Sequence, residues 1–204
     1  IANCFGNIIK VTIYLVAFVI YAIQNVQINL TISASLGNII HYTTYKYTKG
    51  DDSMAKKRNI IVGQSGGPTS VINSSLAGVC KNAIERGFDK VYGMLHGIQG
   101  LLDEQYIDLS TQIHSELDIE LLKRTPSAFL GSCRFKLPEI HEDKAIYEKI
   151  FEILNRLDID AFIYIGGNDS MDTVAKLSDY LAARNSKIRV IGITRTIDND
   201  LPVT

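Results

Sequence analysis

The chain has 204 residues, 46% hydrophobic and 21% charged, the balance of a globular protein with room for one large or two small domains. A formal net charge of −1 argues against a broad basic field for nucleic acid. Three scattered cysteines, Cys4, Cys80 and Cys133, show no CxxC spacing and read as reduced thiols of a cytoplasmic protein; four histidines without HExxH spacing argue against zinc.

Composition changes sharply along the chain. Residues 1–50 contain no Asp, Glu, Arg or Pro and three Lys, and are crowded with Ile, Asn and Tyr. The apolar run Val11 to Ile23 spans 13 residues, too few to cross a bilayer, and no A-x-A-like cleavage site follows it, so no membrane association is expected. Ile, Asn, Tyr and Lys have codons built only from A and T, and Lys49-Gly50-Asp51-Asp52 can be encoded with a ribosome-binding AGGAG ahead of Met54. Residues 1–53 are therefore read as translated upstream DNA or a disordered extension, and 54–204 as the structured part.

Asn59-Ile60-Ile61-Val62-Gly63 predicts a first buried parallel strand. After Gln64-Ser65-Gly66-Gly67-Pro68-Thr69-Ser70, apolar pairs recur every four residues from Val71 to Ile84. That spacing predicts a helix capped by Thr69 or Ser70 and stopped at Gly87. Lys90 to Met94 reads as a second strand, His96 to Gly100 as a loop or short helix, and Ser115 to Lys123 as a weak helix. From Lys144, the residues Ile146, Ile150, Ile153, Leu154 and Leu157 mark an amphipathic helix. A strand over 161–165, a helix from about Met171 to Arg184 and a strand over 188–193 complete the pattern. Strand and helix alternate, which predicts a doubly wound, Rossmann-like α/β fold with a parallel sheet covered on both faces.

Four polar stretches follow these elements. In Gln64 to Ser70, glycines between a strand and a helix let backbone N–H groups approach an anion, or simply make a tight turn. In Gly131-Ser132-Cys133-Arg134-Phe135-Lys136 the arginine suits phosphate oxygens, or solvates a surface. Gly166-Gly167-Asn168-Asp169-Ser170 leaves space for a ligand and offers water-mediated contact with magnesium; as a bland alternative, Asp169 or Ser170 caps a helix. Thr196-Ile197-Asp198-Asn199-Asp200 supplies carboxylates for a base and a metal shell, or is a polar turn before Pro202.

In order and context the four motifs resemble the phosphofructokinase family, most closely its pyrophosphate-using branch, from about Asn59 to Thr204. The resemblance implies the N-terminal part of a family domain, ending before the second domain, so these residues alone are expected to be inactive. It implies phosphoryl transfer to fructose 6-phosphate with Mg2+, giving fructose 1,6-bisphosphate in glycolysis, and a homo-oligomer at full length. Asp198 corresponds to the base that takes the proton of the sugar 1-hydroxyl. Thr196, with Asp198, would hold the sugar phosphate, and Arg134 would neutralise the transferring group. Gly67 would offer its N–H to the donor, with Phe135, Gly167, Asn168, Asp169 and Ser170 completing the donor site. Asn168 and Asp169, and Asp200 through water, are the expected metal contacts.

Asp169 bears on the donor. ATP-using members typically carry Gly there, leaving room for the nucleotide α-phosphate, and a carboxylate would repel that phosphate. Pyrophosphate is therefore the expected donor, with ATP as the alternative and a non-catalytic sugar-phosphate-binding module as an alternative of another class. Two positions depart from the family pattern. Asn168 stands where many members have Asp, and Thr194-Arg195 where the pyrophosphate branch usually has Pro-Lys. Arg195 keeps the positive charge with a different reach and is assigned to catalysis on that basis.

Overall fold

The structure, a computed structural model, describes residues 58–67, 69 and 71–195. The segment 1–53, Pro68, Ser70, Thr196, Asp198 and Asp200 lie outside the described residues.

Strand β1 (Asn59–Gln64) is the apolar run expected, with Ile60, Ile61 and Val62 wholly buried. Side chains alternate along a strand, so Ile60 and Val62 join one core cluster and Ile61 the other. The same division occurs on β4 (Ile159–Gly166): Ala161, Ile163 and Ile165 face one cluster, Phe162 and Tyr164 the second. Strands buried on both faces read as continuous apolar runs, which is why these two were visible in the sequence. Strands β2 (Lys90–Met94) and β4 flank β1 in parallel, and β5 (Arg189–Thr194) pairs in parallel with β4.

The sheet has one more strand than expected. Strand β3 (Tyr106–Asp108) pairs antiparallel with β2, Tyr92 opposite Asp108 and Met94 opposite Tyr106. The order is β3-β2-β1-β4-β5: the four expected strands form the parallel sheet of the doubly wound fold, and β3 is added at its edge in the opposite direction. Three residues are too few to display an alternation, and Tyr-Ile-Asp contains no apolar run.

Helices α1 (Ile72–Glu85) and α3 (Glu116–Arg124) cover one face. Helices α2 (Gly97–Leu102), α4 (Lys144–Arg156) and α5 (Asn168–Ala183) cover the other. In α4, Tyr147, Ile150, Ile153 and Leu154 are buried while Lys149 and Glu152 face water. Burying each such aliphatic side chain contributes about 1.5–3 kcal/mol. Asp143 caps α4 by accepting from the N–H groups of Ala145 and Ile146 at 3.1 and 3.3 Å. Helix α3 owes its firm start to a reciprocal capping box between Ser115 and Asp118.

Two helix starts differ from expectation. Among the described residues no side chain caps α1: its N-cap is Val71, and Thr69 contributes its backbone carbonyl, which accepts from Ile72 N–H at 3.3 Å, while the expected alternative cap, Ser70, lies outside those residues. Helix α5 begins at Asn168 instead of Met171, because Asn168, Asp169 and Ser170 already take helical conformation. Small polar residues there look like a loop whether they precede a helix or form its first turn.

The strand order places the functional crevice. From β1 the chain crosses to β2 by way of α1 on one face. It later enters β4, on the other side of β1, after α4 on the opposite face. The direction of winding therefore reverses between β1 and β4, and a crevice opens beyond their carboxyl ends, where ligands bind in open α/β sheets. Among the described residues no helix is long and apolar enough to cross a membrane.

Candidate functional site

A cleft of about 280 Å³ lies at that reversal. Three chain segments line it: Ser65 to Gly67 after β1, Cys133 to Lys136 from an irregular arm, and Gly167 to Ser170 at the start of α5. Of the expected donor-site residues, Gly67, Arg134, Phe135, Gly167, Asn168, Asp169 and Ser170 thus meet at one place.

Direct hydrogen bonds join the segments. Ser65 N–H donates to the Ile165 carbonyl at 2.9 Å, extending the β1–β4 ladder into the loop. Ser65 Oγ donates to the Cys133 carbonyl at 3.3 Å, and Ser132 Oγ donates to the Gly66 carbonyl at 2.5 Å. The far end of the arm is tied to α4 and α5: Tyr147 Oη donates to the Pro138 carbonyl at 2.6 Å and Lys176 Nζ to the Leu137 carbonyl at 3.1 Å. Lys176 also pairs with Asp172 and Glu139, each at 2.8 Å.

The two adjacent glycines after β4 have different tasks. A Cβ at Gly166 would stand 2.1 Å from Ser170 Oγ and 3.0 Å from the Ser65 carbonyl, so its bare backbone lets the α5 start pack against the β1 loop. Among the described residues, a Cβ at Gly167 would meet only the Arg195 carbonyl, at 3.6 Å, and one at Gly67 would meet nothing within 4 Å. Room for a ligand lies at Gly67 and Gly167, whereas Gly166 is committed to packing.

Charge is arranged for an anion. The N-cap of α5 is Gly167, and among the described residues no side chain caps its first-turn N–H groups, which have no intrahelical partners. A 16-residue helix directs about half an elementary positive charge at that end. The Arg134 and Lys136 side chains are exposed at the cleft, and neither forms an ion pair among the described residues. Asn168 and Asp169 are exposed on the opposite wall. Ser170 is turned inward at 3% exposure, beneath Gly166, which makes it a packing residue of the cleft floor. Phe135 is half-buried against the second core cluster.

Arg195 is not on the cleft wall. Its side chain is buried at 6% exposure, while its N–H donates to the Gly166 carbonyl at 2.7 Å, carrying the β4–β5 ladder one step past Thr194. Ser65, Gly66, Cys133 and Lys136 line the cleft beyond the residues expected there. Their sequence signal was adjacency to glycine motifs, which does not say which side chains face inward. Cys80 is a core residue whose burial pushes its thiol up to about 12, so it is unreactive. Among the described residues no group of three His, Cys, Asp or Glu could hold a metal by itself.

Residues 59–204 match the phosphofructokinase family profile. The chain is 44% identical over 146 residues to a pyrophosphate–fructose 6-phosphate 1-phosphotransferase of Xanthomonas campestris pv. campestris (strain B100), covering 72% of this chain and 34% of that protein. It is 36% identical over 151 residues to an ATP-dependent 6-phosphofructokinase of Aliivibrio fischeri (strain MJ11), covering 74% of this chain and 42% of that one. A crystal structure of pyrophosphate-dependent phosphofructokinase from Nitrosospira multiformis superposes with a TM-score of 0.62 at 39% identity, over 72% of this chain and 36% of the other. The chain thus spans about a third of the length of the pyrophosphate-using relatives it matches.

The packing of Gly166 is testable. Gly166→Ala is expected to cost about 1–3 kcal/mol of stability, read as a lower urea midpoint. Adding Ser170→Gly, which removes the two nearest clashing atoms, should recover most of the loss. A single variant as stable as the parent would mean that this contact does not constrain the site.

Proposed function

Because this chain belongs to the phosphofructokinase family, we propose that the protein transfers a phosphoryl group from pyrophosphate to fructose 6-phosphate. The observation that carries the proposal is the anion-suited cleft at the β1–β4 reversal, with Asp169 exposed on its wall. The uncapped α5 end and the open backbone at Gly67 and Gly167 suit the donor phosphates. Arg134, reaching from the arm, would neutralise charge on the transferring group, and a planar guanidinium can engage two of its oxygens at once.

In the reaction proposed, Asp198 accepts the proton of the sugar 1-hydroxyl. The resulting oxygen attacks a pyrophosphate phosphorus, the bond to the bridging oxygen breaks, and orthophosphate leaves with the electron pair. Thr196 and Asp198 would hold the acceptor, and Arg195 would act from its buried place beside Gly166 by adding positive potential beneath the loop.

The donor set at the cleft fits magnesium better than a metal that needs a full protein cage. One exposed carboxylate, Asp169, and one amide, Asn168, suit an ion that keeps several waters and completes its shell with phosphate oxygens. Asn168 and Asp169 would hold it, with Asp200 through water, and when bound it would offset the donor's negative charge. Asp169 thereby combines attraction for a metal-bound pyrophosphate with repulsion of a nucleotide α-phosphate. Cys80 and Cys133 are free thiols, which suits a cytoplasmic enzyme.

Two variants of the enzyme expressed from its complete reading frame test this reading by steady-state assay with each donor. Asp198→Ala should lower turnover ~10²–10⁴-fold, the usual contribution of a general base; near-normal turnover would remove Asp198 from that role. Asp169→Gly should raise ATP use relative to pyrophosphate use. No rise would refute the steric and charge account of donor choice, and turnover of ATP alone by the unsubstituted enzyme would establish the other donor. Inactivity with both donors would instead favour a sugar-phosphate-binding module.

A further inference from the structure

The arm that carries Arg134 has no regular structure of its own. Residues 125–139 form neither helix nor strand, so their backbone groups must find partners elsewhere. Two buried amides supply them. Gln64, at the end of β1, is 0% exposed, and Asn73, in the first turn of α1, is 1% exposed. Asn73 Nδ2 donates to the carbonyls of Thr125 and Ser127 at 2.8 and 2.7 Å. Asn73 Oδ1 accepts from Phe129 N–H at 2.9 Å, and Gln64 Oε1 accepts from Leu130 N–H at 2.9 Å. Gln64 Nε2 donates to Asn73 Oδ1 at 2.9 Å, which fixes the orientation of both amides, and to the Ile72 carbonyl at 3.3 Å.

Four hydrogen bonds therefore run from one side-chain pair to the arm's backbone, just ahead of Gly131. Gly131 has a φ of 73°, and a Cβ there would stand 2.5 Å from His96 Nδ1, so the chain turns closely at that point. The two serine stitches to the β1 loop follow at Ser132 and Cys133, and Arg134 is the next residue. The amides sit behind the cleft, outside its lining, on the strand and helix that flank the Gly66–Gly67 loop. A carboxylate could not replace Asn73, because it has no N–H groups to donate to two carbonyls.

We infer that Asn73, oriented by Gln64, is a positioning residue for phosphoryl transfer, anchoring the arm so that Arg134 stands opposite the start of α5. This rests on the role of Arg134 proposed above. The anchor acts only through the arm, since neither amide reaches the cleft.

The test is a double-mutant cycle in the enzyme expressed from its complete reading frame, with kcat and KM measured for fructose 6-phosphate and pyrophosphate. Asn73→Ala, and equally Asn73→Asp, should lower kcat by about 10²-fold, the scale of a misplaced catalytic group, with the KM for fructose 6-phosphate nearly unchanged. In an Arg134→Ala background the same substitution should cost less than about threefold, because the group it positions is gone. Equal losses in both backgrounds would overturn the inference and leave Asn73 a purely structural amide. If Arg134→Ala alone leaves turnover intact, the proposed role of Arg134 fails first and the inference falls with it. Should the Asn73 variants not fold, Gln64→Met enters the same cycle with the same expected result. Hydrogen exchange on the unsubstituted enzyme reads the anchor directly. The amides of Phe129 and Leu130 should exchange as slowly as those of β1, and exchange at the rate of an open loop would overturn the proposal.

Discussion

Parallel pairing of β1 with β4 is the constraint on which the site depends. It sets Gln64 beside Ile165, so the loops that follow both strands leave the sheet at the same level. The Ser65–Ile165 hydrogen bond then prolongs the ladder into the β1 loop. Because α1, which follows β1, and α5, which follows β4, lie on opposite faces, neither blocks the gap between the two strand ends. The crevice is a consequence of connectivity, and the side chains within it adjust a space the topology already provides.

What the loops contribute is charge and absence of bulk. Gly166 allows the α5 start to close onto the β1 loop, while Gly67 and Gly167 leave backbone open. The positive helix end and the two exposed basic side chains of the arm favour phosphate, whereas Asp169 opposes it unless a cation intervenes. In the function proposed above, that opposition would let one carboxylate discriminate between donors: a compact metal-bound anion would gain from it, and a longer phosphate chain passing the same point would not.

Much of this was legible in the sequence, for identifiable reasons. The strands β1, β4 and β5 are apolar runs ended by polar loops, and α4 shows a single apolar face, so local pattern sufficed. The strand β3 was missed because three residues carry no period, and the first turn of α5 was misread because Asn168, Asp169 and Ser170 suit either a loop or a helix start. Arg195 illustrates a different limit. A guanidinium after a strand reads as exposed, and only tertiary packing buries it. The Gln64–Asn73 anchor was invisible for a related reason: its partners are backbone groups of a distant segment, and backbone groups leave no mark in a sequence. The family resemblance located the cleft residues well but did not distinguish those facing the cleft from those packed beneath it, as Ser170 and Gly166 show.

The central claim is that the donor binds between the α5 start and Arg134, beyond the carboxyl ends of β1 and β4. A crystal structure of the enzyme from its complete reading frame, soaked with magnesium and pyrophosphate, tests it most directly. The account predicts diphosphate density against the backbone of Gly67 and Gly167, with the Arg134 guanidinium on its oxygens and Asp169 on the metal side. Diphosphate bound elsewhere, or an Arg134 turned away from a filled cleft, would contradict it.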